Sequence, residues 1–270
     1  MEKNVWSMRI FTNPGIIGWD LRPHFHFLNG DPDEITLKPI LESDHVDVLK
    51  PHESTRAYYR FNALMRLING LRIVSKLRVI QLDTSLFFDN GISIKTISYG
   101  TDLDILLEEL ENPFDEGMLA NFEKRDVNSS PSRQKDYLQL IIDEPIVREV
   151  INLLTLSHEQ AIYLLVNTYK IFENINTDLD LKTSKYVNPG HLPEDLFDSL
   201  KKLKEYTQYI NSRDGSGILS RHGASNIPAP AHKPSLAEIQ ELLIAVVDEW
   251  MNFKCTVAFK RKYTWKYKNN

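Results

Sequence analysis

SLAEIQELLIAVVDEWMNFK, residues 235–254, reads as a helix from its first residue. Ser235 and Glu238 have the spacing of a capping box, in which each side chain takes the other residue's backbone N–H. Behind them Ile239, Leu242, Leu243, Val246, Trp250 and Phe253 recur at three- and four-residue steps and share one face. A helix with such a face needs partners to bury it.

The partners lie upstream. EDLFDSLKKLKEYTQYI follows Pro193 and carries Leu196, Leu200, Leu203, Tyr206 and Ile210 on one stripe. AIYLLVNTYKIFENI carries Leu165, Tyr169, Phe172 and Ile175, and Ser157 with Gln160 predicts a capping box that opens it. Asp143 and Glu144 before Pro145 suit the first turn of an earlier helix with Ile146, Val150, Leu153 and Leu154, expected to end before residue 157. Residues 135–255 are therefore expected to form a bundle of about four helices.

Residues 1–125 have a different texture and predict a mixed domain, which makes the chain α+β. WSMRIF and FHFL read as short strands, with turns at Asn13-Pro14-Gly15 and around Gly30 and Pro32. EITLKPIL is a further strand, expected to be stopped by Pro39. HESTRAYYRFNALMRLINGLRIVSKL switches to helical spacing, with Gly70 either an internal weak point or a C-cap that stops the helix. Asp89-Asn90-Gly91 between two β-rich runs predicts a hairpin. DLDILLEELENPF predicts a short acidic helix ending before Pro113. The polar run EKRDVNSSPSRQKD marks the boundary between domains.

Bulk properties narrow the classes of function. The chain has 270 residues, 42% hydrophobic and 26% charged, which places it among soluble globular proteins. A net charge of −5 argues against whole-surface nucleic-acid binding and leaves room for a local basic site. The single cysteine, Cys255, excludes an internal disulfide and a cysteine zinc cluster. No apolar run has the length of a membrane span or a signal peptide. The expectation is a cytoplasmic protein without a membrane partner.

The stretch SRDGSGILSRHGASNIPAPAHKP, residues 212–234, is too long for a plain helical connection. It holds Arg213, Asp214, Arg221, His222, Asn226 and His232. Arginine binds phosphate bidentately, and histidine moves protons near neutral pH. Together they suit metal-independent RNA cleavage. His222 would deprotonate a ribose 2′-OH or protonate the leaving oxygen. Arg221, assisted by Arg213, would stabilise the phosphorane charge. Asp214, Asn226 and His232 are the remaining loop binding candidates.

The tail, residues 256–270, alternates Phe259, Tyr263, Trp265 and Tyr267 with basic residues. It offers Lys260, Arg261 and Lys262 as phosphate ligands. Its spacing also predicts a strand that returns to the N-terminal sheet.

No metal or cofactor is expected. His24 and His26 would share a strand face, with Asp20, Asp44, His45 or His52 as further ligands, but spacing fixes no third ligand, so hydrogen bonds to neighbours are expected. Asp83, Asp89 and Lys95, like Glu34 and Lys38, miss the acid-x-Lys pattern of metal-dependent nucleases, because Ser93 and Thr36 stand at the acid position.

The helix AIYLLVNTYKIFENI, a second helix, the SGILSRHG loop, a proline-containing stretch and a last helix ending in Trp250 resemble an uncharacterised bacterial family with an RHG loop. More broadly, residues 157–254 resemble the HEPN superfamily of prokaryotic conflict and antiphage proteins. HEPN ribonucleases carry an Arg, four to six residues, then a His, and act as dimers. Here eight residues separate Arg213 from His222, and Arg221 adjoins it. The resemblance implies a helical module that binds RNA or a protein partner through the loop, with ribonuclease activity and a homodimer as its extensions. The competing expectation is a non-catalytic scaffold or adaptor acting by protein contacts.

Overall fold

The computed structural model describes residues 5–11, 19–28, 39–182, 186–221, 227–228, 230 and 233–264. The chain divides into two compact units, Met1–Arg125 and Asp126–Asn270. The turns expected at 13–15 and around Gly30 and Pro32 lie outside the described residues, as does strand 34–41 up to residue 38.

The first unit is built on β1 (Val5–Ile10), β2 (His26–Leu28) and β3 (Ile40–Glu42), followed by α1 (Asp44–Asp47) and α2 (Ser54–Val74). The hairpin β4 (Leu82–Asp89) and β5 (Ile94–Ile97) comes next, then α3 (Leu103–Glu111) and α4 (Glu116–Asn121). The strands form one antiparallel sheet in the order β2-β3-β1-β4-β5. β1 sits at its centre and alternates as a half-buried strand should, with Trp6, Met8 and Ile10 buried and Arg9 exposed. Arg9 lies over the Phe87 ring. The hairpin turns where Asp89-Asn90-Gly91 predicts, with Gly91 at positive φ.

Two expectations are corrected here. Pro39 does not end a strand; it precedes β3. Of the two readings of Gly70 the C-cap fails and the internal position holds, since α2 buries Gly70 and runs on to Val74. The stop is set by Lys76 at φ 54°, where Lys76 N–H donates to Ile73 and Leu77 N–H to Arg72. These bonds satisfy the helix's last carbonyls, so closure depends on that backbone geometry more than on a glycine.

α3 is fastened to α2 by charge. Arg60 holds Glu109 through Nε at 2.7 Å and Nη2 at 2.9 Å, and Arg56 reaches Glu109 at 2.8 Å and Glu108 at 2.7 Å. Glu109 is buried, so it needs these partners.

The second unit contains α5 (Arg133–Asp143), α6 (Pro145–Glu159), α7 (Leu164–Asp178), α8 (Glu194–Asn211), the short α9 (Arg213–Ser216) and α10 (Leu236–Phe259). The predicted stripes meet in its core: Val150, Leu154, Leu165, Ile175, Leu200, Leu203, Ile210, Ile239, Leu243, Val246 and Trp250 are all buried. The Ser235–Glu238 capping box forms as the spacing requires. The Ser157–Gln160 box does not. Ser157 lies inside α6 and donates to the Leu153 carbonyl, and a 3-10 turn (Ala161–Tyr163) leads into α7. The apolar stripe of α6 outcompeted a local cap.

For residues 256–264, the described part of the tail, the strand expectation is corrected too. Residues 256–259 continue α10, and Lys260 ends it at φ 57°. Arg261 and Tyr263 then fold back on α5 of their own unit. Arg261 Nη1 binds both oxygens of Asp136 at 3.0 and 2.9 Å, and Nη2 donates to the carbonyls of Asp126 at 2.9 Å, Val127 at 3.1 Å and Ser129. Asn252 pairs with the backbone of Tyr263 on both sides, and the Tyr263 hydroxyl donates to Asp136. Asp136 is buried, and this requirement for partners overrides the alternating pattern that suggested a strand. Residues 265–270 lie outside the described residues.

Candidate functional site

α8 ends at Asn211 with carbonyls that its own helix cannot satisfy. The following segment satisfies them. Arg221 N–H donates to Ile210 at 3.0 Å, and the Ser220 hydroxyl donates to Asn211 at 3.1 Å. Ser212 ties both ends of the excursion. Its hydroxyl accepts from Gly215 N–H at 3.2 Å and donates to the Ile227 carbonyl at 2.9 Å. Gln208 adds a bond to the Pro228 carbonyl. Leu219 packs on the cluster of Leu165, Tyr206, Ile210 and Ile239. The length of the loop therefore has a structural use: it caps α8 and covers one part of the bundle core.

The loop also holds cations outward. Arg213, Asp214 and Arg221 are exposed. The Arg221 guanidinium lies 3.8 Å from the centre of the Tyr169 ring, so it is stacked on α7. Tyr169 belongs to the apolar stripe read from the sequence. It is half-buried, packs against the same cluster and carries the arginine on its face. His222, Asn226 and His232 lie outside the described residues. Of the tail cations, Lys260 and Lys262 are exposed, whereas Arg261 is spent inside the fold. Its Asp136 partner raises the Arg261 pKa above the ordinary value.

A pocket of about 370 Å³ lies elsewhere in this unit, where the start of α6, the end of α7 and α10 meet. Its lining includes Glu144, Asp178, Asp180, His191 and Lys254, with Phe253 and Val257 as apolar surface. Lys254 Nζ contacts Glu144 at 2.6 Å and the two Asp178 oxygens at 2.8 and 2.9 Å. Trp250 Nε1 donates to Asp178 at 2.8 Å. Burial pushes the Lys254 ammonium down, but its bonds and attraction to Asp178 and Glu144 outweigh that, so its pKa is raised. None of Arg213, Asp214 or Arg221 lines this pocket. Sequence reasoning missed it, because Asp178 and Lys254 are 76 residues apart and carry no shared motif.

The histidines of the first unit are arranged differently from the strand-face expectation. His24 precedes β2 and is buried, while His26 sits 3.8 Å from Asp44. His24 Nδ1 pairs with His45 Nε2 at 3.0 Å, and the rings are nearly coplanar in orientation, 5° apart. Asp115 N–H donates to His45 Nδ1 at 3.1 Å. That bond makes Nδ1 an acceptor, so the neutral His45 carries its proton on Nε2 and donates it to His24. Phe114 and Phe122 meet both rings edge-on. Burial, the neighbouring His24 and then Arg60 lower the His45 pKa to about 3. His45 is thus held neutral in a hydrogen-bonded pair walled by aromatic rings. Asp20 is engaged with Arg22, and His52 is an exposed residue of the turn before α2.

No family model matches the chain, and no match was found among curated proteins or solved structures.

Proposed function

We propose that the helical unit binds single-stranded RNA through the exposed cations of the 212–234 loop. The observation that carries this reading is the stacking of exposed Arg221 on Tyr169 at 3.8 Å. Stacking orders a planar cation before it meets a phosphate, which lowers the entropy lost on binding. The exposed Arg213 supplies a second cation on the same excursion. The net charge of −5 makes such binding local and salt-sensitive.

Ribonuclease activity is the catalytic extension of this proposal, with His222 moving the proton and Arg221 and Arg213 stabilising the phosphorane. The HEPN-like character of the bundle, a homodimer that joins two loops and a role in prokaryotic conflict or antiphage defence belong to the same proposal. A second reading, a non-catalytic adaptor, is favoured by Ile218, which stands 97% exposed in the loop, and by the exposed Leu103 and Leu107 of α3.

The test is anisotropy with a labelled single-stranded oligoribonucleotide at increasing salt, for the wild type beside an Arg213→Glu/Arg221→Glu variant. Two phosphate contacts give a log–log salt slope of about −1.4, and the variant should lose both slope and affinity. Absence of saturable binding by the wild type at low salt, or equal binding by the variant, overturns the proposal and leaves the adaptor. Cleavage in EDTA that disappears in Arg221→Ala/His222→Ala would establish the catalytic extension.

A further inference from the structure

We propose that the pocket between α6, α7 and α10 binds a small aliphatic amine, best a diamine. The inference is independent of the RNA reading. It starts from the charge of the lining, in which three carboxylates, Glu144, Asp178 and Asp180, accompany a single ammonium, Lys254. Lys254 has three N–H donors and three close oxygens, one on Glu144 and two on Asp178. An anionic ligand would have to break those bonds, so the lysine is the wrong recruiter for phosphate or carboxylate. The carboxylates retain capacity. Glu144 uses Oε2 for Lys254 and is partly exposed, and Asp180 is an exposed member of the lining, as is His191.

The rest of the lining selects the class of cation. Phe253, Leu179, Ala258 and Val257 supply apolar wall, and Val257 is 56% exposed. That surface suits methylene groups between charged ends. Among the described residues no group of three or more His, Cys, Asp or Glu side chains is placed to hold a metal ion, which argues for an organic cation over a divalent one. One ammonium would sit between Glu144 and Asp180, and the chain would lie on Val257 and Phe253.

The placement of Asp180 agrees with this. It closes α7 at φ 51°, with its N–H on Thr177 and the next N–H, of Leu181, on Asn176. Glycine takes that position most easily, and an acid at a helix C-terminus opposes the dipole. A bound ammonium would offset the electrostatic part of that cost.

The experiment is calorimetric titration of the full chain with 1,5-diaminopentane, with pentylamine and glutarate as comparison solutes. The diamine should bind one to one, more tightly than the monoamine, and glutarate should not bind. Asp180→Asn should weaken the diamine about tenfold, the effect of one charged hydrogen bond. Val257→Lys should abolish binding by placing a tethered ammonium in the pocket. Both positions are exposed, so thermal unfolding should confirm that the fold is kept. No saturable heat with the diamine, binding that both variants retain, or preference for glutarate would each overturn the proposal.

Discussion

His45 gives a test of the first unit that needs only a change of pH. In the folded chain its pKa is about 3, and its ordinary value is 6.5. The causes are visible in the structure: burial, the His24 ring at hydrogen-bond distance and Arg60, whose Nη1 donates to the His45 carbonyl at 2.8 Å. Protonating Nδ1 would also set an N–H against the Asp115 N–H that now donates to it. The unfolded chain takes the proton as pH falls below 6.5, and the folded chain refuses it until about 3. Stability from this residue is therefore complete above pH 6.5 and declines between 6.5 and 3. At pH 5 the unfolded state gains about 2 kcal/mol over its value at neutral pH, and at pH 4 about 3 kcal/mol.

The assay is urea unfolding at pH 7 and pH 5, read by pulsed hydrogen exchange in peptides of α2, so that the signal comes from this unit. With a urea slope of about 2 kcal/mol/M, His45 lowers the midpoint by about 1 M. His45→Gln keeps a donor toward His24 but cannot titrate. It leaves Asp115 N–H without its acceptor, so it is expected to be less stable at pH 7 by about 1 kcal/mol. Its loss on going to pH 5 should be smaller than that of the wild type by the His45 contribution. Parallel midpoint shifts in the two proteins would refute the reasoning.

Two further outcomes test the second unit. Ser212→Ala removes one hydroxyl that serves Gly215 N–H and the Ile227 carbonyl, and should cost about 1–2 kcal/mol in urea unfolding, while Ile218→Asp stays within about 0.5 kcal/mol. Equal effects would show that the excursion is not tied down as described. Leu203→Ala, at a buried position of α8, should cost about 2–5 kcal/mol and lower the thermal midpoint; a change under about 1 kcal/mol would show that the stripe is not core.

The candidate site was legible only in part. Arg213, Asp214 and Arg221 stand out in the sequence because a charged, glycine-rich run of this length is unusual between helices. Nothing in the sequence paired Arg221 with Tyr169, since Tyr169 has the spacing of a core residue and is also used as one. Lys260, Arg261 and Lys262 look alike as a basic run, yet only the middle one is captured by a buried acid. The pocket at Lys254 was invisible for the same reason, because its members come from three separate parts of the chain.

By itself the sequence determined the local rules: the period-two alternation of β1, the turn at Asp89-Asn90-Gly91, the Ser235–Glu238 cap and the apolar stripes of α7, α8 and α10. These depend on side chains a few residues apart, so short stretches carry them. Tertiary structure decided where local signals competed. Gly70 and Ser157 could each have ended or started a helix, but burial of the surrounding stripe held them inside one. The tail could have been a strand, but the buried carboxylate of Asp136 drew Arg261 and Tyr263 to α5. The physical reason is common to all three. Burying an apolar face or pairing a buried charge outweighs a single propensity or cap, and only the packed fold decides which groups are buried.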